Sequence, residues 1–252
     1  MSLADDLQVL VQPFAANQVG LMVSHGDDVV FNWHADHVFP AASLIKLAIS
    51  TTILSRHPNL EAPVSLASTP IVAGAGVLQL MPSLTQLPLK TVLTLMLAVS
   101  DNYAANLVIQ RVSMSAVNQW LDTNDYQATR LRRLLMDTNA VKKGLDNVTT
   151  AAESWRLLRY LITAYPETKQ WLGNQQFRYK LPAAIDEIDT PITVLNKTGE
   201  GPYVDHDVAR FSLADETYDV ALLTAGITDR TRAIQLHEQV GQLIAQVLLR
   251  NC

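Results

Sequence analysis

A serine and a lysine lie three residues apart within an apolar segment of the chain. Residues 40 to 50 read P-A-A-S-L-I-K-L-A-I-S, which surrounds Ser43 and Lys46 with leucine, isoleucine and alanine. If a helix begins just after Pro40, Ser43 and Lys46 share one face, with about 5–6 Å between their Cβ atoms. An amine within hydrogen-bond range of a serine can take its proton and make the hydroxyl a nucleophile. The alternative is a structural lysine whose ammonium group extends to solvent.

Two more motifs follow along the chain. Residues 100 to 106 read S-D-N-Y-A-A-N directly after an apolar run, and residues 197 to 199 read K-T-G directly after a predicted strand. From average residue usage, each of the tripeptides S-D-N and K-T-G occurs in roughly one unrelated chain in twenty. Chance therefore does not explain the three motifs in this order.

With these three motifs, the sequence resembles the serine β-lactamase and penicillin-binding-protein family, and class A β-lactamases most closely. The resemblance extends to F-P-A-A-S before the serine, to L-T-L-M-L-A-V before S-D-N, and to T-R-L at residues 129 to 131. It covers essentially the whole chain. It implies a serine hydrolase that opens β-lactam amide bonds through an acyl-enzyme on Ser43.

The resemblance also implies catalytic roles for five residues. Lys46 would act as the base for Ser43, and burial together with a second ammonium group, that of Lys197, would lower the pKa of Lys46. Ser100 would pass a proton to the leaving nitrogen. Asn102 would hydrogen-bond Lys46 or the substrate amide.

Substrate binding is implied for the residues around K-T-G. Lys197 and Thr198 would bind a substrate carboxylate, although an ordinary strand residue is the alternative for Thr198. The backbone N–H groups of Ser43 and Glu200 would supply the two donors of an oxyanion hole. Gly199 would let the strand approach the ligand without a side chain in the way.

One departure from the class A pattern affects the expected turnover. These enzymes carry E-x-x-L-N after T-R-L, and the glutamate activates the water that frees the acyl-enzyme. This chain has L-M-D-T-N at residues 135 to 139. Asn139 matches the asparagine of the motif, and the resemblance implies that it binds substrate. Leu135 stands at the position of the glutamate. Deacylation is therefore expected to be slow.

Three other carboxylates are candidates to replace this glutamate. Asp137 is two positions further along and would need a shift of the loop to aim it at the site. Glu153 lies in the capping-box pattern T-A-A-E at a helix start, which indicates a structural role. Asp146, in G-L-D-N, is typical of a turn. Only Asp137 is a plausible substitute.

Two alternatives to a β-lactamase stay open. One is a D-alanyl-D-alanine peptidase or esterase of the same fold, and the other is a covalent β-lactam-binding sensor that stays acylated. The expected partner is a small-molecule β-lactam or a cell-wall peptide-like substrate, and the protein is expected to be a monomer. No metal or organic cofactor is implied, because His34 and His37 lack further ligands at suitable spacing.

The predicted elements place strands at both ends of the chain and helices between them. Strands are predicted at 19–25, 28–34, 191–197, 207–213 and 217–225, and the main helices at 3–16, 43–55, 89–99, 102–121, 151–164 and 229–249. This order indicates an α/β (α+β) fold in which a five-stranded antiparallel sheet is flanked by the terminal helices. The sheet domain would be discontinuous, residues 1–56 and 186–252, with an inserted all-helical domain at 57–185. The active-site groove would lie between the two domains.

Composition excludes several classes of protein. The net charge of −5 and the absence of a Lys/Arg-rich run argue against a nucleic-acid partner. No apolar run approaches the roughly 18–20 residues of a membrane span. Asp5 and Asp6 stand where a secretory signal would carry basic residues, so the sequence as given predicts a cytoplasmic protein. If M-S-L replaces a leader that was trimmed, the protein would be secreted or attached to the cell surface. Cys252, the only cysteine, excludes a disulfide framework.

Overall fold

The computed structural model describes residues 2 to 251, so Cys252 lies outside the described residues. The α-helices are α1 (Leu3–Val11), α2 (Ile45–Leu54), α3 (Leu89–Ala98), α4 (Asn102–Val112), α5 (Met114–Thr123), α6 (Thr138–Lys142), α7 (Ala151–Ala164), α8 (Thr168–Gly173), α9 (Ala183–Asp186) and α10 (Arg230–Asn251). The strands are β1 (Val19–His25), β2 (Asp28–Trp33), β3 (Phe39–Pro40), β4 (Pro63–Ser65), β5 (Gln86–Pro88), β6 (Val148–Thr149), β7 (Thr193–Gly201), β8 (Val204–Leu213) and β9 (Glu216–Ala225).

The main sheet has five strands in the order β2-β1-β9-β8-β7, and all its neighbouring strands are antiparallel. β1 and β2 form the predicted hairpin, with Gly26 in the left-handed region at a φ of 56°. β1 then pairs with β9, which joins the start of the chain to its end. The predicted five-stranded antiparallel sheet is confirmed.

The sheet separates two apolar clusters. On one face α1 and α10 pack against the strands through side chains that include Leu7, Val11, Phe211, Val240 and Ile244. On the other face the strands contact the cluster formed by α2, α3, α4 and α7. All ten residues of α2 are buried, which explains why apolar side chains occur on every side of this helix. The terminal helices flank the sheet as predicted.

Two predicted helices differ from the structure by more than two residues at one end. The helix predicted at 3–16 ends at Val11, two residues before Pro13, whose ring cannot continue a helix. The helix predicted at 102–121 divides at Ser113, where φ is 75°. Ser113 ends α4 and caps α5, because its hydroxyl accepts from the Ala116 N–H at 3.2 Å.

The two strands around K-T-G are longer than predicted. β7 continues through K-T-G to Gly201, and β8 begins at Val204 instead of residue 207. Lys197 pairs with Val208, and Gly199 pairs with His206. The prediction that K-T-G follows a strand was wrong. The side chains of Lys197 and Thr198 are both buried, although both are polar. The usual strand pattern, in which buried apolar and exposed polar residues alternate, is therefore absent from K-T-G, and the sequence does not show that the strand continues.

The segment 57–185 contains strands as well as helices. β4 and β5 form a separate two-stranded sheet, and β6 pairs with β3. The prediction of an all-helical segment was therefore too simple, and the division into two domains stays a prediction. Within residues 2–251, no helix combines the length and the apolar character needed to cross a membrane.

Candidate active site

Ser43 lies in a short 3-10 turn, Ala42–Leu44, that leads directly into α2. Ala42 has a φ of 44°, a left-handed conformation that is uncommon for alanine. Hydrogen bonds hold the chain before this residue, since Ala41 N–H donates to Asn147 O at 2.7 Å and its carbonyl accepts from Leu44 N–H at 3.0 Å. The turn therefore presents Ser43 at the start of a fully buried helix.

Lys46, one residue into α2, is fully buried and its Nζ contacts four oxygen atoms. These are Ser43 Oγ at 2.9 Å, Ser100 O at 2.6 Å, Ser100 Oγ at 3.2 Å and Asn102 Oδ1 at 2.8 Å. Burial lowers the pKa of Lys46 well below its usual value, and the ammonium group of Lys197 lowers it further. Lys46, the lysine within the apolar segment, is therefore hydrogen-bonded to other residues of the site and does not extend to solvent.

The contacts of Lys46 suit a neutral amine, which has two N–H groups and one lone pair. Ser100 O and Asn102 Oδ1 are acceptors, so each can take one of the two N–H groups. The lone pair is then left for a hydroxyl proton, and Ser43 Oγ lies 2.9 Å away. The geometry allows Lys46 to deprotonate Ser43.

Ser100 lies between the two lysines at the start of α4. Its Oγ is 3.2 Å from Lys46 Nζ and 3.0 Å from Lys197 Nζ. The neighbouring Asp101 holds this turn, because its carboxylate accepts from the Ala104 N–H at 2.9 Å and from the Leu78 N–H at 2.8 Å. Ser100 can therefore exchange a proton with either lysine.

Lys197 reaches the site from β7 and is also fully buried. Its Nζ donates to Ser100 Oγ at 3.0 Å and to Thr198 O at 2.7 Å. Burial lowers the pKa of Lys197 to about 7; Asp207 opposes this change and Lys180 adds to it. Lys197 is thus divided between its charged and neutral forms near neutral pH.

The rest of the K-T-G strand lies against the nucleophile turn. A Cβ added at Gly199 would be 3.3 Å from both Ala41 O and the Ala42 side chain, so a side chain here would press against the turn. Thr198 is buried. The Glu200 carboxylate, at the edge of the strand, accepts from Tyr179 Oη and, at 3.1 Å, from Arg230. Ser43, Lys46, Ser100, Asn102 and the K-T-G residues come together.

Lys180 was missed by the sequence analysis. It is fully buried behind β7, where its Nζ donates to Gly199 O at 3.2 Å and lies 3.2 Å from Asp205 Oδ1. The signal was present, because a lysine beside the apolar residues of Y-K-L-P raises the same question as Lys46. Lys180 supports the back of the strand that carries the site.

Asn106 fixes Leu135 on the loop that precedes α6. Its amide donates to Leu135 O at 3.1 Å and accepts from the Leu135 N–H at 2.8 Å. Asn106 lies one helical turn after Asn102, so both amides share a face of α4. Residue 135 is therefore held beside the partner of Lys46.

The three carboxylates considered as replacements for a glutamate at 135 all have structural partners. Asp137 is exposed and caps α6 by accepting from the Ala140 N–H at 2.9 Å. Asp146 pairs with Arg133 at 2.8 Å. Glu153 accepts from the N–H groups of residues 127, 128 and 129 at 2.7, 3.0 and 2.6 Å. The structural role predicted for Glu153 therefore takes another form: Thr150 Oγ1 caps α7 by accepting from the Glu153 N–H at 3.0 Å, and the Glu153 carboxylate anchors residues 127–129.

Asn139, the other predicted residue of this loop, is exposed on α6. It is not among the groups that contact Lys46 or Ser100. His34 and His37 are exposed as well. A role for Asn139 in substrate binding stays a prediction.

Replacing Asn106 with alanine is expected to lower the free energy of unfolding by about 2–4 kcal/mol. Two backbone groups of Leu135 would lose their partner, and each unsatisfied buried group costs about 1–3 kcal/mol. Urea unfolding measures the change. Asn118→Ala is the matched control, because Asn118 makes the same pair of bonds to Leu131, both at 2.9 Å, from a half-buried position. Equal losses for the two variants would contradict the expected importance of burial at Asn106.

A sequence model of the β-lactamase enzyme family matches residues 2–248. The chain belongs to this family. Together with the fold, membership identifies a serine hydrolase of the β-lactamase type. No curated protein sequence matches the chain.

Several solved structures share the fold of this chain. A β-lactamase from Sphaerobacter thermophilus is 21% identical with a TM-score of 0.82, and the match covers 98% of this chain and 96% of that one. A class A β-lactamase from Mycobacterium abscessus is 20% identical with a TM-score of 0.81, over 98% and 99% of the two chains. A leucine-to-glutamate mutant of PBP-A, in an acyl-enzyme complex with penicillin G, is 23% identical with a TM-score of 0.82, over 98% and 96%.

Proposed function

We propose that this member of the family forms an acyl-enzyme at Ser43 with β-lactams and releases the product slowly. The observation that carries the proposal is the contact of 2.9 Å between Ser43 Oγ and the Nζ of Lys46, a buried lysine with a lowered pKa. A structural neighbour that carries penicillin G as an acyl-enzyme supports the choice of substrate.

Acylation can be followed atom by atom. Ser43 Oγ attacks the β-lactam carbonyl carbon while its proton passes to Lys46 Nζ. The carbonyl oxygen becomes negative and is bound by the N–H groups of Ser43 and Glu200. When the C–N bond breaks, Ser100 gives its proton to the nitrogen, and Lys46 returns the first proton to Ser100 Oγ across 3.2 Å. The lysine is neutral again and the ester on Ser43 remains.

The carboxylate of a β-lactam would bind at Lys197 and Thr198. An ammonium group attracts a carboxylate, whereas a neutral amine offers only weak hydrogen bonds. Because burial lowers the pKa of Lys197 to about 7, charge at this position depends on pH in the neutral range.

Non-covalent affinity for a penicillin is therefore expected to weaken as pH rises above about 7. Lys197 carries its proton below its pKa and loses it above, so the dissociation constant should rise towards about tenfold per pH unit on the alkaline side. Isothermal titration of the Ser43→Ala variant between pH 6 and 9 measures this without acylation. A penicillin methyl ester, which lacks the carboxylate, is the control and should show no such trend. A flat profile for the acid itself would contradict the role of Lys197.

Slow deacylation follows from the side chain at position 135. Leucine cannot accept a proton from water, and Asp137, Asp146 and Glu153 are engaged elsewhere. Water activation by a positioned base contributes about 10²–10⁴-fold to such a step. The ester on Ser43 should accordingly persist.

Intact-protein mass spectrometry after mixing with penicillin G tests the proposal, with Ser43→Ala as the control. An adduct that persists for many minutes and is absent from Ser43→Ala is the expected result. Rapid loss of the adduct with release of penicilloate would contradict slow deacylation. No adduct at all would overturn the proposal.

A D-alanyl-D-alanine peptidase or an esterase of the same fold is the second candidate. The absence of a glutamate at position 135 favours it, because D-alanine leaves when Ser43 is acylated, a step that needs no activated water. Release of D-alanine from a diacetyl-lysyl-D-alanyl-D-alanine peptide, lost in Ser43→Ala, would favour this candidate over a sensor.

A further inference from the structure

His206 is a fully buried residue of β8 that lies opposite Gly199 in the sheet. Its Nδ1 accepts from the Thr224 N–H at 3.2 Å, and its Nε2 is 2.7 Å from Pro40 O. Burial lowers the pKa of His206 to about 4, so the ring carries a single proton at neutral pH. Because Nδ1 is used as an acceptor, that proton lies on Nε2 and is donated to Pro40 O.

The acceptor of this bond is three residues before the nucleophile. Ala42, between Pro40 and Ser43, has a φ of 44°, and such a conformation persists only where the surrounding structure fixes it. Ala41 N–H is bound to Asn147 O on one side of the segment. On the other side, the hydrogen bond from His206, a residue of β8, holds the carbonyl of Pro40 against the sheet.

β7 approaches the same turn from the other direction. A Cβ added at Gly199 would lie only 3.3 Å from Ala41 O, so β7 and the turn that carries Ser43 are in close contact. Ser43 supplies one N–H group of the proposed oxyanion hole from the turn, and Glu200 supplies the other from the strand. His206 is paired with Gly199, the residue before Glu200, and bonded to the segment before Ser43.

We infer that His206 is a positioning residue that sets the spacing between the two oxyanion-binding N–H groups. The inference rests on the proposed acylation at Ser43 and extends it. The hydrogen bonds of the His206 ring go to Pro40 O and Thr224 N–H and not to Ser43 or Lys46, so it acts through the backbone of Pro40. Misplacement of a reacting group by about 1 Å can lower a rate roughly 100-fold, which makes this spacing consequential.

Two amide variants separate the two bonds of the ring. In His206→Gln the terminal amide nitrogen can take the place of Nε2 and donate to Pro40 O. In His206→Asn the amide oxygen can take the place of Nδ1 and accept from Thr224 N–H, but nothing reaches Pro40 O. Each variant keeps one of the two bonds, so a purely structural role predicts equal losses in melting temperature and equal losses in activity.

The variants are compared in two assays. Stopped-flow acylation by penicillin G separates the dissociation constant from the acylation rate constant. The affinity for phenylboronic acid is measured by ¹¹B NMR; there Ser43 Oγ bonds to boron, its proton passes to Lys46, and a boronate hydroxyl occupies the oxyanion hole. The boronate assay needs no β-lactam. It therefore tests the inference even if the proposed β-lactam chemistry fails.

The expected result is an acylation rate constant within about threefold of wild type for His206→Gln and at least about tenfold lower for His206→Asn, with an unchanged dissociation constant. The boronate affinity should follow the same order. Similar values for both variants, or losses that follow melting temperature alone, would overturn the inference. Failure of the wild-type protein to form any tetrahedral boronate would overturn it too.

Discussion

Replacing Lys46 with methionine is expected to lower the rate constant for acylation of Ser43 by about 10²–10⁴-fold, the range that a positioned general base supplies. Methionine is close to lysine in length and keeps the apolar packing of α2, but it cannot take a proton. All four oxygen contacts of Lys46 Nζ are lost, and the one to Ser43 Oγ, at 2.9 Å, is the contact across which the proton would pass. The fold should survive, because removing the cost of burying an amine offsets the cost of taking a donor from Ser100 O and Asn102 Oδ1.

Stopped-flow kinetics with penicillin G measures this effect, and thermal unfolding checks the fold. Lys197→Met is the matched control, since Lys197 is also fully buried and also contacts Ser100 Oγ. In the control we expect the larger change in the dissociation constant, because Lys197 is proposed to bind the substrate carboxylate. Acylation of Lys46→Met at the wild-type rate would exclude Lys46 as the base.

Replacing Leu135 with glutamate is expected to speed hydrolysis of the acyl-enzyme by about 10²–10⁴-fold, because it adds a base for water. Asn106 binds the backbone of residue 135 and lies on α4 one helical turn after Asn102. Asn102 Oδ1 is in turn 2.8 Å from Lys46 Nζ, so residue 135 is held near the catalytic lysine. A Cβ added at Gly74 would meet both Asn102 Nδ2, at 2.6 Å, and Met136 Sδ, at 3.1 Å, which places this loop against the site.

Leu135→Gln is the control for this second prediction. Leu135 is buried, so either substitution should lower the melting temperature by a similar amount. Only the glutamate can take a proton from water. The lifetime of the penicilloyl adduct, followed by mass spectrometry, should shorten in Leu135→Glu and stay long in Leu135→Gln. Equal lifetimes would show that residue 135 does not reach the ester.

Local sequence was enough to predict the elements whose patterns are strong. The β1–β2 hairpin followed from two β-rich runs around Gly26 and Asp27, and α7 was predicted with its observed bounds, 151–164. The division at Ser113 was not predictable, because a left-handed residue there joins two helices whose apolar spacing looks continuous. The extension of β7 and β8 depends on partners such as Lys180 that are distant in sequence.

The site was predictable where spacing alone determines proximity. Ser43 and Lys46 lie three apart on one helical start, and the structure joins them at 2.9 Å. Asn106 stood in the quoted motif without a role, since its partner Leu135 is reached only through tertiary structure. The engagement of Asp137 with α6 likewise depends on where a short helix begins.

The pairing of β1 with β9 has a consequence for how the chain folds during synthesis. Val19 and Thr224 are direct partners although they are about 200 residues apart. At about 5–20 residues per second, a ribosome needs about 10–40 s to make the chain between them. During that time one edge of β1 has no partner, and such an edge invites association with other chains. The order of synthesis therefore delays the meeting of Ser43 with Lys197 until β7 has been made, and it leaves β1 with a free edge until β9 has been made.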